Sequence, residues 1–91
     1  MSTVKVSDVI VEALEQEFEE VFREHYQMTY RTAYGVTGNP EDAEDIVQTI
    51  FLRLLRREFP PDLKKNPTAY LYRAAVNLSL NTIQAKKRHV H

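Results

Sequence analysis

The residues with the most chemical character cluster toward the C-terminal end. Tyr70, Arg73, Asn77, Asn81, Gln84 and Arg88 recur at intervals of three and four. At about 100° per residue, that spacing gathers them on one side of an α-helix. An aromatic ring stacks on bases, guanidinium groups contact phosphates, and amides hydrogen-bond to base edges. Lys86 and Lys87 add charge at the end of the stripe, and Lys64 and Lys65 precede it. From Asn66 to the last residue there is no acid. An ordinary solvated helix face mixes Glu with Lys, so an acid-free stripe of this composition points to nucleic-acid contact.

A second stripe lies in the middle of the chain. Asp45, Gln48, Thr49, Leu52 and Arg56 fall opposite an apolar series that also keeps helical spacing. A single surface leucine is common on soluble proteins. Framed by Asp45 and Gln48, Leu52 also suits a protein-docking face with an apolar centre and a polar rim.

Catalysis is not expected. Ser2, Ser7 and Ser79 sit in no nucleophile motif, and there is no cysteine for a thiolate nucleophile, a disulfide or a thiolate metal site. His89 and His91 lie at a chain end, where solvated side chains are the rule. His25 beside Tyr26 reads as a partly buried helix residue. The acids Asp42, Glu44 and Asp45 meet no second set at metal-ligand spacing. No cofactor and no metal site are expected.

The scaffold for these stripes is helical. The chain has 91 residues, 43% hydrophobic and 27% charged, which fits one small soluble domain and is too apolar for disorder. Apolar residues from Val11 through Leu14, Phe18, Val21, Phe22, Tyr26, Tyr30, Ala33 and Tyr34 predict a helix over 7–37, with a break near Glu15 to Glu17 because of its length. Gly38, Asn39 and Pro40 supply a stop, a cap and a first-turn residue. Ala43, Ile46, Val47, Ile50, Phe51, Leu54 and Leu55 predict a second helix over 40–57, with acids at its start and arginines at its end, as the helix dipole favours. Pro60 and Pro61 end it, and 59–66 reads as a loop. Asn66 and Pro67 open a third helix over 67–87, whose stripe of Leu71, Ala74, Ala75, Leu78, Thr82 and Ala85 is narrow enough for close helix approach. Nothing alternates with period two, so the fold class is an all-α bundle of three main helices. No apolar run reaches the length of about 20 residues that spans a membrane, and a cytoplasmic location is expected. Charge is lopsided: residues 1–50 hold three cations and eleven acids, residues 51–91 nine cations and two acids. Such asymmetry suits a chain whose two ends meet different partners.

Three stretches in this order resemble region 2 of bacterial RNA polymerase sigma factors, in particular the extracytoplasmic-function group. They are F-x-x-V-F-R-E-H-Y from Phe18, A-Y-G-V-T-G-N-P-E-D-A-E-D-I-V-Q-T-I-F over 33–51, and A-Y-L-Y-R-A-A-V-N-L over 69–78. The similarity covers about 17–88, leaving 1–16 as an N-terminal extension or helix. The resemblance implies a transcription initiation domain with two working faces. In the family, the acidic helix docks on the clamp coiled coil of the polymerase's largest subunit; carried over, that face is Asp45, Gln48, Thr49, Leu52 and Arg53. In the family, the last helix and the loop before it melt and read the promoter −10 element on the non-template strand. Tyr70 then occupies an aromatic position, Asn77 a promoter-reading position, and Asn81 lies one turn on. The loop over 58–66 corresponds to one that holds a flipped base in relatives, which must return the few kcal/mol that extrusion costs.

The chain departs from the family pattern in places. Val76 stands where arginine is common, Asn81 where aspartate is common, Ala74 where a larger aliphatic is common, and Pro67 where an aromatic is usual. Gln84 and Ala85 interrupt the basic tail. Fewer cations imply weaker backbone affinity. No helix-turn-helix domain of the kind that reads the −35 element is expected in this chain. The partners implied are RNA polymerase core, promoter DNA and an anti-sigma factor, without membrane insertion. The alternative is a helical protein-interaction domain, a degenerate sigma-like scaffold with no nucleic-acid role.

Overall fold

The structure, a computed structural model, describes residues 5–56 and 59–89, with the backbone alone at His89. It contains α1 (Val6–Thr37), α2 (Pro40–Arg56), α3 (Pro61–Lys65) and α4 (Pro67–His89), with no strand among the described residues. The all-α expectation holds. The three long helices start and stop within two residues of their expected ends; Arg57 and Glu58 lie outside the described residues.

The punctuation works as its residue types require. Gly38 adopts φ 66°, the left-handed conformation that a side chain resists, and its N–H donates to the Tyr34 carbonyl at 2.8 Å. One residue on, the Asn39 Oδ1 accepts from the N–H groups of Glu41 and Asp42 at 2.9 and 3.1 Å. Pro40 has no N–H, so two of the three unpaired donors at the start of α2 are thereby satisfied. The Asn66 Oδ1 does the same for α4, accepting from Ala69 N–H at 3.1 Å.

Two expectations change. The segment expected as a loop holds the five-residue α3. A proline breaks a helix interior but suits a first turn, where its missing N–H would be unpaired anyway, so Pro61 both forbids extension of α2 and starts α3. Leu63, fully buried, pins α3 to α4. The expected break in α1 is not there: the helix runs unbroken for 32 residues. What changes near Glu17 is burial. Residues 5–16 are all exposed and closer packing begins at Glu17 and Phe18; Val11 and Leu14 border an open cleft with Leu54 and Leu55 of α2, and the turns before them overhang the body.

The core forms where α2 lies against both α1 and α4, which also pack on each other. Ala43, Ile46, Val47, Ile50, Phe51 and Leu54 are buried, every third or fourth residue of α2. Leu55, grouped with them by spacing, is instead 55% exposed, because it falls at the margin of the buried arc. Ala33 of α1 and Ala75 of α4 are fully buried, and their small size lets the axes approach. An aromatic cluster closes one end: the Phe51 ring lies edge-on to Phe22 at 5.0 Å and at 6.3 Å from both Phe18 and Tyr26. Such offset and edge-on pairs add to area burial. At the other end Lys86 of α4 forms an ion pair with Asp42 of α2, so the start of α2 is tied to the end of α4.

Ser79 is fully buried in α4, and its hydroxyl finds no partner among the described residues. Burying an unpaired hydroxyl costs about 1–3 kcal/mol, so this serine serves by its size. Ser79→Ala is therefore expected to leave stability unchanged or raise it by about 1 kcal/mol in urea denaturation; a loss of that size would reveal a bond absent from this packing. For Asp42 and Lys86, a double-mutant cycle with Asp42→Asn and Lys86→Gln is expected to give a coupling of about 0.2–1 kcal/mol that fades in 1 M salt. Zero coupling at low salt would show the tie to be dispensable.

Candidate nucleic-acid and protein interfaces

Around the buried arc of α2, the side chains at the next angular positions are left to solvent. Asp45, Gln48, Leu52, Arg53 and Arg56 are exposed and Thr49 is half-buried. Leu52 keeps 49% of its surface. Gln48 Nε2 donates to Glu44 Oε1 at 3.3 Å, and the Thr49 hydroxyl donates to the Asp45 carbonyl at 2.8 Å. These are local bonds within one helix, so the outer face is held by α2 alone and stays accessible. Gln48 and Leu52 stand on it, with the exposed Asp45 at its edge.

On α4, Arg73, Asn77, Asn81, Gln84, Lys86, Lys87 and Arg88 are exposed and Tyr70 is half-buried. The stripe is not uniform. Tyr70, Asn77 and Asn81 line a groove of about 300 Å³ against Ile50, Arg53 and Leu54 of α2, with Ala74 and Leu78 as its floor on α4. The amides therefore face a neighbouring helix across a groove with an apolar base. Lys86 is set apart by its ion pair with Asp42, which offsets its charge. Lys87 and Arg88 remain exposed beside it, and neither forms an ion pair with the described residues. Lys64 and Lys65 are exposed on α3, whose only buried side chain is Leu63. That leucine, a lone apolar residue between charged neighbours after a proline pair, is the signal that would have revealed α3 and the fixed position of its lysines.

A second, shallower groove continues the same seam toward the other end. It is lined by Asp42, Asp45, Ile46 and Thr49 of α2 with Leu78 and Thr82 of α4. Leu78 belongs to both grooves. The α2–α4 seam thus runs from an acidic end at Asp42 and Asp45 to a cationic end at Arg53. Asp45, Thr49 and Arg53, grouped by sequence with the outer face of α2, all border this seam.

The remaining histidine and carboxylate candidates stay apart. His25 is half-buried, its Nε2 3.8 Å from Glu24 Oε2. Among the described residues no three His, Cys, Asp or Glu side chains converge as a metal site would require. His91 lies outside the described residues. No described helix is long and apolar enough to cross a membrane.

Comparison with known proteins fits this geometry. The Sigma-70 region 2 family matches residues 21–89, which takes in the second half of α1 and all of α2, α3 and α4. The chain is 33% identical over 73 residues to the ECF RNA polymerase sigma factor SigE of Mycolicibacterium smegmatis, covering 78% of this chain and 27% of the relative. It is 36% identical over 58 residues to the ECF RNA polymerase sigma factor SigW of Bacillus subtilis, covering 64% of this chain and 31% of the relative. The matched stretch thus spans about a third or less of the length of these relatives. No solved structure matches at a significant level. With most of the chain inside that match, and with the helices and caps where its motifs require them, the chain belongs to the Sigma-70 region 2 family.

Proposed function

We propose that this chain is the part of a transcription initiation factor that docks on RNA polymerase core and engages the promoter −10 element as single-stranded DNA. It carries no catalytic role. The observation that supports this most is the groove at the cationic end of the seam, where Tyr70, Asn77 and Asn81 surround an apolar floor. A half-buried aromatic gives a base a stacking surface, and two amides on successive turns offer donors and acceptors for base edges. One aromatic is worth about 1–3 kcal/mol per stacked base, too little for tight binding alone. Attachment to polymerase would raise the effective concentration of DNA at the groove. That requires a second surface, for which the outer face of α2 with Gln48, Leu52 and Asp45 is suited. An anti-sigma factor would act by covering one of the two. The promoter-binding and polymerase-binding steps both take place in the cytoplasm.

An interaction-only scaffold is the competing reading, supported by the exposed Val9, Ile10 and Leu14 on the first turns of α1. DNA binding discriminates between the two.

The two surfaces are expected to separate by mutation. Asp45→Ala with Gln48→Ala should weaken binding to polymerase core about tenfold or more with helical content unchanged, since surface changes seldom cost more than about 0.5 kcal/mol in stability. Wild-type core binding by the double mutant would remove the docking face. On the other surface, Asn77→Ala or Asn81→Ala should change the ranking of −10 variants in a holoenzyme promoter-opening assay, whereas Lys87→Gln with Arg88→Gln should weaken all variants alike and flatten the salt dependence. Equal losses on every variant from the asparagine changes would remove base readout.

A further inference from the structure

We infer that Arg53 belongs to the DNA-binding groove and holds a phosphate of the single strand, rather than serving the polymerase-docking face with which its sequence position groups it. The inference rests on the proposed function above and narrows it: it says where along the seam the strand's backbone enters.

Three observations carry it. Arg53 lines the same groove as Tyr70, Asn77 and Asn81, from the facing helix. A strand whose bases lie toward α4 would place its backbone toward α2, and Arg53 is the groove's one cation. Arg53 also forms no ion pair with the described residues and is exposed, so its guanidinium is available to a phosphate. Guanidinium pairs with phosphate through two parallel N–H donors, which adds orientation to charge.

The rest of the seam excludes the alternative path. Toward the start of α2 the groove's polar lining from α2 is Asp42, Asp45 and Thr49, and of the two lysines that border a cleft with Asp42, Lys86 is paired with it and Lys87 stands beyond it. Glu41 and Glu44 are exposed nearby on the same helix. A phosphate moving from Arg53 toward Asp42 leaves a cation for a run of carboxylates. The field therefore places this phosphate at the Arg53 end of the seam, apart from Lys87 beyond Asp42, and gives the groove a direction. Lys86 on this view adds little to phosphate binding although it sits in the basic tail.

The test is fluorescence anisotropy of the full chain with a labelled single-stranded −10 oligonucleotide across a salt series, alongside polymerase-core binding. Arg53→Gln is expected to weaken DNA binding several-fold at low salt and to reduce the log–log salt slope by about 0.7, the value for one phosphate contact on a single strand. Core binding should be unchanged. Arg53→Lys should keep most of the slope because the charge remains. The position is solvent-exposed, so circular dichroism should show both variants folded. An unchanged DNA slope in Arg53→Gln, or a loss of core binding with DNA binding intact, overturns the inference. If Lys87→Gln with Arg88→Gln flattens the slope while Arg53→Gln does not, DNA binding stands and the Arg53 assignment alone fails. If the wild-type chain shows no salt-dependent binding in either free or polymerase-bound form, the underlying reading fails with it.

Discussion

The packing of one helix against two others governs everything else in this molecule. α2 buries six side chains, at i, i+3, i+4, i+7, i+8 and i+11 from Ala43, against α1 and α4. At about 25 cal/mol per Å² of apolar surface removed from water, that stripe is the main source of stability available to so small a chain. It fixes the rotation of α2 about its axis. Once that rotation is set, every remaining side chain of α2 has only two places to be: the outer face or the margin of a seam.

Both places carry residues of the proposed binding surfaces. Gln48 and Leu52 stand on the outer face, where only neighbours within the helix touch them. Arg53, Thr49 and Asp45 fall at the margin and look across to α4. The Asp42–Lys86 pair ties the start of α2 to α4, and the Phe51 aromatic cluster ties α2 to α1. The charges along it follow from helix electrostatics. Acids gather at the start of α2 and arginines at its end because the dipole favours both, and the same arrangement makes one end of the seam repel phosphate and the other attract it. A stability device and a binding polarity are thus the same set of residues.

The long helices were legible because their signals are local. Periodicity, Gly38 at a left-handed turn, and Asn39 and Asn66 as caps each state a rule within a few residues. Leu55 shows the limit of that reading: spacing places it beside Leu54, but it borders an open cleft against the early turns of α1, where packing is not close. Leu63 shows another, since two prolines argue against continuing a helix and say nothing against beginning one. The sense of the α1 overhang was also out of reach, because the same apolar pattern runs through buried and exposed turns alike. Among the site residues, the types and the helix were readable for Tyr70, Asn77 and Asn81. Their sharing of a groove with Arg53 was not, since it arises from the packing of segments about 20 residues apart. Nor was the pairing of Lys86 with Asp42, which joins positions 44 residues apart.

The central claim is that α2 presents polymerase with one face while the α2–α4 seam holds DNA. Site-specific photocrosslinking in a reconstituted initiation complex tests this most directly, with a photoreactive phenylalanine analogue placed at Leu52 in one sample and at Tyr70 in another. Crosslinks from Leu52 to the polymerase's largest subunit, and from Tyr70 to the non-template strand of the −10 element, are the expected result. Crosslinks from Tyr70 to polymerase alone, or from Leu52 to DNA, would contradict the division of surfaces.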